Sequence, residues 1–404
     1  MKKLVRLFWE LFKISLFVVG GGYAIIVVAD QVFGKKLKWL REGELLEHLP
    51  IFQMVPGLIA GNTAIYVGLK MAGRLGAAVA LVGVALPSFA IFLGVTCGYN
   101  FLPMGNVWLD AAFLGLRSAL TGLIAATLLK GWRKSVSGIY GYVSLLVAGV
   151  LLIGLHVNTV AVLLLGMGAG IVWKLCGGAT PAVDGASAGL TLSATSLKKR
   201  LVVTGAALLV FAGVAAFAHD ILFTFLKFGC LGFGGGYVLV PLYIETFVGP
   251  AAPLLQLPMA DFSNLMALTQ TTPGPVSINA ATFFGYHLGG LPGAAIATAA
   301  LLLPSYILLT AVLTGIEKWK TNPIVQGLLW GVKPVTTALI LSAGLAFVEM
   351  SVWNTPAGGV RAFHPFALVL ALGAATLILK SRLSVMSVIF LCGVLGALVF
   401  PFGG

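Results

Sequence analysis

Charge is scarce in this chain of 404 residues: Asp, Glu, Lys and Arg make up only 9% of it, against about 25% in a soluble domain. So little charge cannot cover a water-facing surface, which excludes a soluble globular protein. Acids are the scarcer sign, 12 against 25 Lys and Arg. Cysteine is nearly absent. Cys97, Cys176, Cys230 and Cys392 stand far apart with no CxxC pair, and the histidines are scattered. That excludes a disulfide framework and a metal site of recognisable spacing. No nucleophile with a neighbouring base can be read, which argues against an enzyme and against any cofactor.

What is abundant is apolar: 59% of the residues are hydrophobic. Apolar runs near or beyond 18 residues recur along most of the length, each able to cross a hydrocarbon core of ~30 Å. The fold class expected is an all-α polytopic membrane protein. The net charge of +13 comes from short clusters between apolar runs, as positive-inside loops require. Examples are Lys2, Lys3 and Arg6, then Lys130, Arg133 and Lys134, then Lys198 to Arg200, then Lys380 and Arg382. The lipid bilayer, not nucleic acid, is the partner this pattern implies. The N-terminus imitates a signal peptide, but the same pattern recurs at 225–238, so it belongs to the mature fold.

The sequence repeats itself. Lys13 through Tyr23 align with Lys227 through Tyr237, each copy interrupted by a glycine triplet, Gly20-Gly21-Gly22 and Gly234-Gly235-Gly236. A second block, Gln53 to Ser88, aligns without gaps to Gln270 to Ser305. It pairs Pro56-Gly57 with Pro273-Gly274, Asn62 with Asn279, and Pro87-Ser88 with Pro304-Ser305. A weaker match sets Asn106, Gly115 and Arg117 against Asn322, Gly331 and Lys333. The organisation expected is an N-terminal repeat, 1–178; a linker with one connecting membrane helix, 179–220; and a C-terminal repeat, 221–404. Six segments per copy (about 11–33, 50–70, 75–99, 107–130, 138–154 and 157–175 in the first) plus the connecting helix give about 13. An odd helix between even-numbered units inverts the second, the inverted-topology repeat of secondary transporters. Lys35, Lys36, Lys38 and Arg41 fit an N-in topology if 11–33 and 50–70 enter and return as re-entrant hairpins.

Glycine triplets and Pro-Gly breaks free backbone groups that lipid cannot satisfy. Four breaks placed symmetrically suggest broken or re-entrant helices meeting near the midplane. Half-helix N-termini carry exposed N–H groups and partial positive charge, suited to an anion. Amides after Pro56 (Gly57, Leu58, Ile59) and after Pro273 (Gly274, Val276, Ser277) are expected to face the site, with the Thr271 and Thr272 hydroxyls beside them. Gln53, Gln270, Asn62 and Asn279 lie in the same segments, either capping freed backbone or donating to substrate. Arg117 and Lys333 each sit inside an apolar segment, where a cation costs about 2.5–3.5 kcal/mol. No acid lies near either one in sequence, so the transported anion is the expected counter-charge. Asp30, Glu44, Glu245 and Asp261 sit near segment ends; any of them could relay protons, and surface carboxylates are the commoner reading. The competing explanations are close helix packing for the glycines and structural bonds to broken-helix carbonyls for the two cations.

The paired F-G-G-G-Y and Q-x-x-P-G-P motifs, at Phe233–Tyr237 and Gln270–Pro275, resemble the long-chain chromate ion transporter family. So do the G-x-x-x-x-G-x-x-G-A run from Gly285 and the L-P-S that ends each block. The first half departs at Val19 and Leu58. The resemblance implies an inner-membrane, multi-pass protein that expels chromate, driven by membrane potential or proton gradient and conferring chromate resistance, with sulfate as a mimic. It also implies substrate-binding roles for Gly234, Gly235, Gly236, Gln270, Pro273, Gly274 and Pro275. An oxyanion offers only acceptors, so its site needs donors of the kinds gathered here. Sulfate or another small oxyanion, or an anion channel, remain as alternatives, and a homodimer is left open.

Overall fold

Glycine and proline decide where these helices stop. The computed structural model describes residues 2–18, 21–99, 101, 106–178, 218–233, 236–320, 322–354, 362–381 and 383–400. Gly20, Gly234, Gly235, most of the expected linker and the apolar run after it lie outside the described residues. Helix α1 (Lys2–Phe17) ends before the first triplet, and α2 (Gly21–Asp30) starts within it and runs into a π-helical turn, Gln31–Lys36. Two short helices, α3 (Glu44–Glu47) and α4 (Leu49–Met54), lead to a non-helical stretch at 55–58 around Pro56-Gly57. Then come α5 (Ile59–Tyr99), α6 (Val107–Ser135), α7 (Gly138–Gly149) and α8 (Thr159–Leu175). In the second half α9 (His219–Leu231) ends before the second triplet. A 3₁₀ turn at Gly236–Leu239 opens into α10 (Val240–Phe247). Helix α11 (Met259–Thr271) stops at the second Pro-Gly break, and α12 (Val276–Lys320), α13 (Pro323–Val352), α14 (Pro365–Lys380) and α15 (Val385–Val399) complete the chain.

Two of these helices are folded double. At Ala72-Gly73 the backbone turns through φ −152°, ψ 28° and then φ 61°, ψ −150°, and Gly289-Gly290 repeats it with −156°, 27° and 60°, −152°. The second conformation of each pair is open to glycine and nearly closed to other residues. Gly68 lies against the backbone of Gly76 and Ala77, and Gly285 against Gly293 and Ala294. In a straight helix residues 68 and 76 would stand ~12 Å apart. Each chain therefore folds back as a helical hairpin, and the Thr282 and Thr298 hydroxyls meet across the second at 3.2 Å.

The chain packs as two compact units, and each draws on both halves of the sequence. A hairpin unit holds α1–α4, α5 through Thr96, α9 and α12; a bundle unit holds the end of α5, α6–α8, α10, α11 and α13–α15. In the hairpin unit Ser15 Oγ donates to the Val84 carbonyl at 2.7 Å, while Gly229, its equivalent in the repeat, lies against the carbonyl of Leu301, the equivalent of Val84. In the bundle unit α6 and α13 run antiparallel. Thr121 bonds the Phe347 carbonyl and Ser351, whereas Ile124 and Leu128 meet Gly344. Asn106 and Asn322 cap these two helices in the same way, each accepting from two backbone amides. Small residues set the crossings, as they do where lipid supplies no hydrophobic drive: Gly166 and Gly170 on Gly331 and Gly327, and Gly115 on Cys392 and Gly396. Lys130 reaches the Ile378 carbonyl at 3.0 Å, so the C-terminal ends of α6 and α14 share one basic end.

Among the described residues four helices are long and apolar enough to cross a membrane: Ile59–Tyr99, Val107–Trp132, Val276–Leu313 and Pro323–Val352. The remaining apolar helices are shorter.

Candidate functional site

In the hairpin unit the first Pro-Gly break is tied to the second glycine-rich stretch. Gly57, at φ +118°, donates its N–H to the Gly232 carbonyl at 3.0 Å. A β-carbon at 57 would collide with the Ser305 side chain, so only glycine lets these strands of backbone approach. The Gly57 amide, expected to be free for a ligand, is thus committed to the fold. Asn62 resolves half of its ambiguity: its amide nitrogen donates to the carbonyls of Phe52 (2.9 Å) and Val55 (3.2 Å), capping backbone that the break sets free. Asn279, its equivalent, accepts from the Ser88 hydroxyl at 2.6 Å.

What remains unpaired there is specific. Ser277 and Ser305 are both 0% exposed, and among the described residues neither hydroxyl has a partner; nor has the Asn62 carbonyl oxygen. A buried polar group left unmade costs about 1–3 kcal/mol. The first amides of α5 and α12 have no partner within their own helices. Gly21 and Gly22 open α2, and Gln53 lies half-buried in α4 before the break. Ser305 was not legible as a site residue, although its place in the L-P-S ending was.

The bundle unit holds the other candidates. Gly236 opens the 3₁₀ turn, and Tyr237 donates to Gln270 Oε1 at 3.0 Å, leaving the buried Gln270 amide nitrogen unpartnered. Thr271 and Thr272 spend their hydroxyl hydrogens on the Leu268 carbonyl, so they can accept but not donate to an anion. Pro273-Gly274 forms the second break, with Gly274 at φ 98°. Lys333 lies over the Trp330 ring at 5.3 Å and makes no ion pair among the described residues. Arg117 donates from Nε to Asn264 at 2.8 Å and lines a cavity of about 520 Å³. Asp110, Asp261 and His364 line the same cavity. No acid is near Arg117 in sequence, but the fold brings Asp261 from the other half of the chain into the same cavity. The antiparallel register sets Arg117 toward the C-terminal end of α13, and Lys333 toward the C-terminal end of α6. The two cations stand at opposite ends and do not share one ion.

Of the carboxylates expected at the surface, Glu245 is exposed, whereas Asp30 and Glu44 are buried. Asp30, 5% exposed, accepts from the amides of Gly43 and Leu45. Glu245 accepts from the Thr159 amide and hydroxyl at the start of α8. Glu44, also 5% exposed, takes Lys70, the Tyr66 hydroxyl and the Arg41 amide. Burial alone raises its pKa, but the bonds from Lys70, Tyr66 and Arg41 outweigh that and hold the carboxyl below its ordinary value.

Unpartnered buried donors beside interrupted helices suit a ligand that only accepts hydrogen bonds. A family model described as chromate transporter matches residues 5–171 and 219–397, one stretch in each half. The chain is 27% identical to a chromate transport protein of Cupriavidus metallidurans over 95% of its own length and 90% of that protein's. It is 28% identical to a chromate transport protein of Pseudomonas aeruginosa, over 98% and 92%. The uncharacterized transporter YwrA of Bacillus subtilis is 30% identical across 43% of this chain and 91% of its own length. No solved structure matches the chain. This membrane protein belongs to the chromate transporter family.

Proposed function

We propose that this member of the chromate transporter family carries chromate out of the cytoplasm across the inner membrane. The observation that carries the reading is the bond from Gly57 to the Gly232 carbonyl, which joins an unwound stretch of each half. The buried Ser277 and Ser305 hydroxyls, without partners, are the donors left for an oxyanion. Around that bond Gln53, Asn62 and Asn279 shape the site. Within the bundle unit Gln270 and Arg117 are further candidate donors.

The antiparallel course of α6 and α13, equivalent helices of the two copies, supports an inverted repeat, 1–178 against 221–404, with about 13 segments. In that orientation the basic end of the bundle unit, with Lys130 and Lys380, faces the cytoplasm. An inside-negative potential contributes ~2.3 kcal/mol per charge per 100 mV, so a dianion is driven outward. Expulsion lowers the cytoplasmic load and confers resistance.

The test is flux of labelled chromate in membrane vesicles under an imposed potential. Movement toward the potential-positive side is expected; accumulation on the negative side alone would rule export out. Sulfate, molybdate and phosphate added as competitors sort the oxyanions, because hydroxyl and amide donors recognise the class and not the metal.

A further inference from the structure

The Arg117 cavity has a composition that a simple anion trap does not need. It lies at the end of the bundle unit opposite Lys130 and Lys380: Asp110 is in the first turn of α6, Asp261 in the first turn of α11, and His364 precedes α14. Arg117 stands about two turns in from Asp110, held by Asn264 at 2.8 Å. Asn264 and Asp261 are three residues apart on α11 and therefore share a face. The Tyr99 hydroxyl points at Asp261 from 3.4 Å. Asp261 is half-buried whereas Asp110 is exposed, and Glu349, the nearest acid on α13, is exposed and outside the cavity. No titratable group of α15 lines the cavity.

A dianion approaching Arg117 therefore also approaches a half-buried carboxylate of its own sign. Water screens Asp110 well, but Asp261 only in part. Like charges at one site favour protonation of one of them. We propose that an oxyanion binds in this cavity together with one proton, delivered from hydronium to the Asp261 carboxylate. One O–H bond of hydronium breaks and leaves water, one O–H bond forms on the carboxylate, which becomes neutral, and the new hydroxyl is a further donor for the ion. Arg117 supplies the charge that selects an anion, and Asp261 makes its binding sensitive to pH. The inference rests on the oxyanion reading above and assigns that reading a proton site.

The test is equilibrium binding of chromate to the purified full-length protein, with proton uptake followed by an indicator dye in weak buffer. Wild type and Asp261→Asn are compared from about pH 8 to about pH 5. Chromate's own protonation is common to both proteins and cancels in the comparison. Wild type is expected to take up about one proton more per bound ion than the variant. Its relative affinity should gain up to about tenfold per pH unit on acidification where Asp261 is ionised. Asp110→Asn and His364→Gln should keep the extra proton. Equal uptake in wild type and Asp261→Asn overturns the proposal while leaving oxyanion transport standing. Loss of the extra proton in Asp110→Asn, with its retention in Asp261→Asn, overturns the assignment to Asp261. Absence of any chromate binding by wild type defeats the oxyanion reading itself.

Discussion

Asn62 and Asn279 occupy equivalent places in the two copies, yet they are used differently. Asn62 spends its amide hydrogens on the carbonyls of Phe52 and Val55 and keeps an unpaired oxygen, whereas the Asn279 oxygen is closed by Ser88. The serines follow suit. Ser88 is bonded, and Ser305, its counterpart, presses on Gly57 with its hydroxyl unpartnered. Duplication preserved the backbone turns to within a few degrees at Gly73 and Gly290, but not the hydrogen bonds. A pair of copies that folds alike can leave one pair of polar groups satisfied and the other open, and the open one is where a ligand has something to gain.

The sharpest way to break this contrast is at Gly57. In Gly57→Ala the new methyl meets Ser305 and the residue must hold a positive φ. Together these should cost about 3 kcal/mol and abolish chromate resistance. An unchanged melting temperature in detergent would show that the close approach does not exist. Next in size, Asn62→Ala strips two carbonyls of their cap and should lose about 2–3 kcal/mol. A thermal melt matching wild type would show that the cap contributes nothing.

The cations extend the comparison to the bundle unit. Arg117→Gln should slow chromate flux by about tenfold, ~1.4 kcal/mol of barrier, while Lys333→Gln, over its Trp330 ring and away from the cavity, should change flux by less than about twofold. The reverse ranking would move the site to the other end of the unit. The smallest effect concerns Glu44, in the hairpin unit. A carboxyl whose folded-state pKa is depressed adds stability above its unfolded pKa, and that stability disappears as pH falls through the folded value. Acid melts of Glu44→Gln should therefore lack that part of the pH dependence; curves parallel to wild type would show that the Lys70, Tyr66 and Arg41 contacts contribute nothing.

How far all this could be read from the letters depends on the range of the forces involved. The interruptions at Pro56-Gly57 and Pro273-Gly274 were legible because proline and glycine act on their own backbone. The boundary between the segments near 70 and 75 was legible too, though not that it is a tight fold-back at Gly73. Asp261 beside Arg117 was hidden, because the two lie in different halves and meet only through packing of α11 on α6. The interleaving of both halves into each compact unit was hidden for the same reason. Thr271 and Thr272 looked like donors because composition does not tell where a hydroxyl hydrogen points.

Chromate affinity and flux of the Ser277→Ala, Ser305→Ala double variant, reconstituted in vesicles, test the central idea most directly. Because neither hydroxyl has a partner among the described residues, the variant should fold with wild-type stability and lose at least about tenfold in chromate affinity, ~1.4 kcal/mol. Wild-type affinity and flux in a folded double variant would show that the joined breaks are not where the ion binds.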